Sequence, residues 1–218
     1  MLTGRFTILR VLTLLPVVLF FYSCSNAYQD LIPVEAPAHS FQPAYPFDFS
    51  VSNPVIYDLA IKTKKQYFSG LFILKNEGPQ QFRLAMTSKL GNKLFDMTFD
   101  NGQFTVHQII EPMNKKVLIN MMQSLFTLML EKKDLPDHTS YFKNQNMNKV
   151  YRWKEKGDWK TVMEDEEGKV MAYHSGNKKK PAVTIDFKGY KNGHPAQIEL
   201  VNSKWVRFEM LFSQLDQK

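Results

Sequence analysis

The stretch QFRLAMTSKLGNKLFDMTFDNGQFTV, residues 81–106, decides the fold because it carries clear strand and turn signals close together. Apolar and polar residues alternate along it with a period of two, as expected for strands with one buried face. Two turn signals interrupt the alternation, and the second, Asn101-Gly102, is a strong hairpin signal. The stretch therefore predicts three antiparallel strands, Gln81–Lys89, Lys93–Asp100 and Gln103–His107.

The first turn, Lys89–Asn92, places an apolar side chain at a hairpin tip. Gly91 predicts a type II turn, in which the third residue has a positive φ. Leu90 then lies in water, where a polar residue is more usual. A single exposed leucine is normal on a protein surface, so Leu90 has either no role or a role that needs an exposed apolar group.

The alternation also divides the three strands into two faces. The face that carries Arg83, Asp96, Thr98 and His107 is polar. The other face is unusually rich in Phe and Met and predicts an apolar layer; it comprises Phe82, Leu84, Met86, Phe95, Met97, Phe99, Phe104 and Val106.

The rest of the chain repeats the strand pattern around one helical segment. Strands are predicted from about Tyr57, at Tyr67–Lys75, and at Lys149–Lys154, Trp159–Met163, Val170–His174, Ala182–Phe187, Ala196–Val201 and Trp205–Phe212. A helix is predicted from about Lys115 to Lys132 with Asn114 as its N-cap. Because this helix is apolar around nearly its whole circumference, it must be buried. The prediction is a mainly β (α+β) fold, a curved antiparallel half-barrel of about eleven strands enclosing one main apolar helix.

The N-terminal residues predict export. Val11–Tyr22 is an uncharged apolar run that is too short to span a membrane and follows two arginines, so residues 1–23 are predicted to be a secretory signal peptide. The lone cysteine, Cys24, follows directly, either as a buried thiol or as a lipid attachment point, and its position favours the lipid. Residues 24–56 are proline-rich and predict an extended tether, part of which lies on the domain surface, before a folded domain at 57–218.

Composition and charge narrow the function classes. The chain has 218 residues with 44% hydrophobic and 22% charged residues, which suits one globular domain. Its net charge is +7, which falls to +5 without residues 1–23 because these hold two arginines and no acid. This mild basicity favours anionic membrane surfaces or acidic partners. The basic residues are scattered, which argues against a nucleic-acid partner, and the run Lys178–Lys180 predicts a solvated turn.

Catalytic signals are weak. The five histidines, His39, His107, His138, His174 and His194, are far apart in sequence and lack metal-ligand spacing. The sequence contains no phosphate loop, dinucleotide fingerprint or nucleophile elbow. We therefore expect neither enzymatic activity nor a metal or other cofactor.

Two resemblances add to this interpretation. "LFFYSC" resembles the lipobox of bacterial lipoproteins, which implies a lipidated Cys24, and Ser25 after it implies delivery to the outer membrane. The segment Gln81–Val106 and the predicted sheet around a helix resemble the LolA/LolB superfamily of lipoprotein-localisation factors. The resemblance is closer to the uncharacterised LolB-like lipoproteins than to LolB itself. After the helix the chain reads LMLEKKDLPD, without the tryptophan-containing segment usual in LolB.

The resemblance to LolB implies roles for three residues. Leu90 with Gly91 would form a membrane-insertion loop, and Arg83 would either lock its strand against the helix or be a plain surface arginine. It also implies an apolar cavity for acyl chains of lipids or lipoproteins between the Phe/Met face and the helix, where Met121, Met122, Leu125 and Met129 are expected to line it.

Two hypotheses of function follow. In the first, a lipid-anchored outer-membrane protein facing the periplasm binds acyl chains and aids lipoprotein insertion. In the second, the same scaffold has a filled core and serves as a structural or interaction lipoprotein, accessory to an envelope complex, with a periplasmic protein partner.

Overall fold

Thirteen antiparallel strands form one curved, open sheet in the computed structural model, which describes residues 26–36, 43–132, 134–204 and 207–216. The predicted signal peptide and Cys24 lie outside the described residues. The strands are β1 Ile32–Pro33, β2 Val55–Thr63, β3 Tyr67–Gly78, β4 Gln81–Thr87, β5 Lys93–Asp100, β6 Gln103–Ile109, β7 Ser140–Lys143, β8 Lys149–Glu155, β9 Asp158–Glu164, β10 Val170–Gly176, β11 Pro181–Lys191, β12 His194–Asn202 and β13 Phe208–Gln214. One helix, α1, spans Lys116–Leu130.

The strand order is β1-β7-β8-β9-β10-β11-β12-β13-β2-β3-β4-β5-β6. Among the described strands, two neighbouring pairs are not consecutive in sequence, β1 with β7 and β13 with β2. The pair of β13 and β2 joins the N-terminal and C-terminal strands into one sheet. The predicted fold class is confirmed, with thirteen strands in place of about eleven. The two additional strands, β1 and β7, are short and were not predicted.

The predicted start of the helix was wrong by one residue. Asn114 does not cap α1; it ends a 3₁₀ turn at Glu111–Met113, and its N–H donates to the carbonyl of Glu111. Lys115 is the N-cap residue, with extended backbone angles and no capping side-chain hydrogen bond. Burial of apolar side chains, rather than capping, therefore holds the helix in place.

The helix fills the Phe/Met face of the sheet. Phe126 stacks on Phe72 of β3, with ring centroids 5.8 Å apart and planes 5° apart, and also contacts Phe95 and Phe104. Six of the face residues are almost completely buried, namely Phe82, Leu84, Met86, Phe95, Met97 and Phe99. These side chains belong to the packed core, so on this face the helix and sheet pack together as in the filled-core hypothesis.

Antiparallel pairing sends successive turns to alternate ends of the sheet. We call end A the end with the turns at 64–66, 88–92, 156–157, 177–180 and 203–207. End B has the turns at 79–80, 101–102, 144–148, 165–169 and 192–193. The helix begins at end A, since it follows β6, and finishes at end B, where the N–H of Lys132 donates to Oε1 of Gln80.

A segment that precedes β2 closes end B. The N–H of Ala44 donates to Oε1 of Glu164, and the hydroxyl of Tyr45 donates to the carbonyl of Leu130 at the end of the helix. Phe47 is buried beside it. This strap, residues 43–53, belongs to the segment predicted to be a tether, and it lies against the core. Glu164 is fully buried, and desolvation raises the pKa of its carboxyl group.

Candidate functional site

A groove separates the helix from the C-terminal strands. The helix packs on β3 to β6 through Phe126, and its other side faces β9 to β12 across a space of about 750 Å³. Its lining residues are Val117, Asn120, Met121, Ser124, Leu125 and Leu128 from the helix, and Asp158, Lys160, Ser175, Ala182, Val183, Asn202 and Lys204 from the sheet. A volume of this size lies within the range of small-molecule pockets, roughly 300–1,000 Å³.

The helix wall of the groove is apolar. Val117, Met121, Leu125 and Leu128 recur at the three- and four-residue spacing that places side chains on one helix face. Leu125 is fully buried, whereas Met121 and Leu128 are half-buried and Val117 is 61% exposed. Apolar side chains thus line open space along about three turns of the helix.

The sheet wall is mixed, with cationic groups beside the apolar Ala182 and Val183. Val183 projects inward, as do Ile185 and Phe187 at the same parity of β11. Nζ of Lys160 donates to Oγ of Ser175 at 3.0 Å, and Nζ of Lys204 lies 3.2 Å from Oδ2 of Asp158. Within the described chain no carboxylate forms an ion pair with Lys160. The groove therefore joins an apolar wall to a half-buried positive charge.

A second hollow of about 350 Å³ adjoins the groove and shares Ser124, Leu128 and Lys160 with it. It runs along the helix towards Glu131 and is bounded on the sheet side by Trp153. The two hollows together follow the helix over most of its length, which suits an elongated ligand.

The predicted cavity residues divide between the two sides of the helix. Met121 and Leu125 line the groove, whereas Met122 and Met129 are fully buried within the core cluster. Phe104 and Val106 are half-buried on β6 and pack against that cluster. The sheet side of the groove, with Lys160, Val183 and Lys204, was not predicted. The parity of Val183 with Ile185 and Phe187 is a sequence signal that identifies it as inward-facing.

The hairpin tip at end A exposes Leu90, of which 90% is accessible to solvent. The N–H of Gly91 donates to the carbonyl of Ser88 at 2.9 Å, so the turn spans Ser88–Gly91 and begins one residue earlier than predicted. Gly91 has a φ of 86°, but it occupies the fourth position of the turn and not the third. The type II prediction was therefore wrong in register, although the positive φ was correct.

The described polar contacts of Arg83 join two strands. Its Nε lies 2.5 Å from Oδ1 of Asp96 on β5, and Nη1 lies 3.4 Å from Oγ1 of Thr98. Hydrogen bonding from Arg83, with help from Lys93, holds the pKa of the buried Asp96 carboxyl below its usual value. Arg83 thus lies on the polar face and ties β4 to β5, instead of tying a strand to the helix.

Among the described residues, no cluster of three His, Cys, Asp or Glu side chains is arranged to hold a metal ion. In the described ranges, no helix combines the length and apolar character needed to cross a membrane.

A family model described as a protein of unknown function, DUF3261, matches residues 58–206. No curated protein sequence matches the chain significantly. Similar crystal structures include a LolA superfamily protein from Nitrosomonas europaea, with a TM-score of 0.43 and 8% identity over 75% of this chain and 84% of that one.

A domain named for outer membrane lipoprotein sorting, from Vibrio parahaemolyticus, is similar at a TM-score of 0.38 and 10% identity, again over 75% of this chain and 84% of that one. At identities of 8% and 10% these similarities do not assign a function, which has to be argued from the site.

Proposed function

Since the chain belongs to the DUF3261 family, whose function is open, we propose from its groove that it binds one acyl chain of a lipid or lipoprotein. The observation that carries the proposal is the apolar helix wall, Val117, Met121, Leu125 and Leu128, which faces a space of about 750 Å³. A helix face without a protein partner is ordinarily polar. An acyl chain supplies the missing apolar partner.

The energetics favour this ligand. Each methylene that leaves water for an apolar surface contributes about 0.8 kcal/mol, so burial of half of a long acyl chain along the helix gives measurable affinity. Met121 assists because a flexible thioether side chain repacks around ligands of different shape. Lys160 lies at the sheet wall of the same groove, where its charge suits a ligand with an anionic group.

The proposal includes a place in the cell. We propose that residues 1–23 are removed on export and that Cys24 is lipidated, which anchors the protein in the outer membrane with its domain in the periplasm. There it would pass acyl chains to the membrane and aid lipoprotein insertion. These steps rest on the sequence pattern and on the resemblance to LolB.

The first test measures binding of a fluorescent long-chain fatty acid to a chain that starts at Ser25, which retains every described strand and the helix. Met121→Trp fills the groove from the helix, and Val183→Glu places a carboxylate in it from the sheet. We expect either change to weaken binding about tenfold or more, which corresponds to about 1.4 kcal/mol. The tryptophan occupies space that the acyl chain needs, and the glutamate places a charge that is costly to bury against it.

Gln123→Trp is the matched control for Met121→Trp, since Gln123 lies on the same helix but lines a different hollow, beside Gly102 and Phe104. Its affinity should stay within about twofold of the parent, as expected of a surface change. No binding by the parent chain would contradict the acyl-chain proposal and leave the filled-core interaction lipoprotein, which the packed Phe/Met face favours.

A second test concerns delivery. We propose that the loop of Leu90 and Gly91 enters the membrane when a ligand is released, because an apolar tip mixes with acyl chains more readily than a polar one. Leu90→Gln should leave fatty-acid affinity unchanged and slow transfer to phosphatidylcholine vesicles by about tenfold, from the loss of roughly 1.5 kcal/mol of apolar transfer energy. Lys89→Gln is the control in the same loop. Equal transfer rates for all three chains would rule out a role for Leu90.

A further inference from the structure

The two ends of the sheet carry opposite charge. The five turns of end A contain nine Lys and Arg residues and no Asp or Glu. The five turns of end B contain one Lys and three acidic residues, all within the turn at 165–169. The links that flank the helix add Glu111 and Lys115, which pair with each other at 3.6 Å, and the exposed Asp137, next to the His138 ring that contacts the carbonyl of Lys154. The positive charge of the turns still predominates at end A.

Most of the positive charge at end A is available to a partner. All nine basic side chains of these turns are exposed. Within the described residues, six of the nine form no ion pair, namely Lys64, Lys65, Lys156 and the run Lys178–Lys180. The other three, Lys89, Lys204 and Arg207, pair with Asp58, Asp158 and Glu209. Because the charges sit on five separate hairpin tips, they are spread over one end of the sheet instead of lining a single cleft.

Three other features share this end. The exposed tip of Leu90 lies in the turn at 88–92. The N–H of Ala27 donates to the carbonyl of Lys179, so the chain enters the fold at end A three residues after Cys24. Val117 and Lys204 place the mouth of the groove at the same end.

From this arrangement we infer that end A is a docking surface for an anionic lipid bilayer. A bilayer fits better than an acidic protein because the surface combines dispersed lysines with one apolar tip, and because the chain enters from the same side. Lysines near an anionic leaflet are attracted over about a Debye length, roughly 10 Å at 0.1 M salt. Docking on end A turns the groove mouth to the membrane and end B, closed by the strap, away from it.

This inference is independent of acyl-chain binding and has its own test. The chain that starts at Ser25 is sedimented with vesicles of phosphatidylcholine alone and of phosphatidylcholine with about 30% phosphatidylglycerol, at about 0.1 M NaCl. We expect binding to the anionic vesicles to be at least about tenfold tighter, since the neutral vesicles attract only the apolar tip of Leu90 and not the lysines. Changing Lys178, Lys179 and Lys180 together to Gln should weaken that binding about 100-fold, at about fivefold per lysine.

The control variant removes the same charge near end B, by changing Lys75, Lys169 and Lys191 to Gln. It should bind within about threefold of the parent, since these lysines face away from the docked membrane. Equal losses in the two triple variants would show attraction by net charge alone and would overturn the inference. Equal binding to both vesicle types, or binding to neither, would overturn it as well. Met121→Trp should dock normally, which separates this result from the groove.

Discussion

Replacement of Phe126 by alanine is expected to lower the free energy of unfolding by about 3–5 kcal/mol, the usual cost of truncating a fully buried phenylalanine. The ring has no exposed surface, and it contacts Phe72, Phe95 and Phe104 of three different strands at centroid distances of 5.8, 6.4 and 6.2 Å. Alanine leaves a cavity where the helix meets the sheet. Urea denaturation of the chain that starts at Ser25 measures the change.

Val117→Ala is the control on the same helix. Val117 is 61% exposed at the groove mouth, so its truncation should change stability by no more than about 0.5 kcal/mol. A loss of less than about 1 kcal/mol for Phe126→Ala would mean that other contacts hold the helix. The result matters for function because the groove exists only while the helix is held against β3 to β6 and away from β9 to β12.

The long strands of the meander were predictable because each buries one face, and burial leaves a period of two in the sequence. Gln81 to Asp100 illustrates this, since both predicted strands there were found within two residues of their ends. The strands β1 and β7 were not predictable in the same way. Ile32–Pro33 has only two residues and Ser140–Lys143 only four, which is too short to show an alternation of apolar and polar residues. These two segments are strands because they pair with each other.

The position of the groove could not be read from the helix sequence. Met121 and Met122 are neighbours with the same side chain, yet Met121 lines the groove and Met122 is buried in the core. A helix that is apolar all round gives no sign of which side meets the sheet. The stacking of Phe126 on Phe72 decides it, and that contact joins residues 54 positions apart.

The positive charge of end A, unlike the position of the groove, can be predicted from the sequence once the strands are assigned. In a meander the turns alternate between ends, so the lysines at 64–65, 89, 156 and 178–180 belong to one end by parity. Composition showed only a mild net charge with scattered basic residues. The strand order places many of these scattered basic residues at one end of the sheet.

The second large effect is expected for Gly70→Ala, where β3 passes beneath the start of the Leu90 hairpin. A Cβ on Gly70 would lie 1.9 Å from the carbonyl oxygen and 2.9 Å from the carbonyl carbon of Thr87. Because these are backbone atoms, relief requires β4 to move away from β3 at the Leu71–Thr87 pair. We expect a loss of about 3 kcal/mol or more, at the upper end of overpacking effects, measured by urea denaturation.

Gly91→Ala separates this clash from the general cost of replacing a glycine. Gly91 has a φ of 86° with no atom near its would-be Cβ, so alanine there should cost only about 1–2 kcal/mol of backbone strain. If Gly70→Ala proved no more costly than Gly91→Ala, the close approach of Thr87 would not constrain the hairpin. If Gly70→Ala is the more costly change, the missing side chain of Gly70 is what allows β4 to pack on β3 and to place Leu90 at end A. Gly70 then helps to position the surface proposed to meet the membrane, although it lies in a strand and not in a turn.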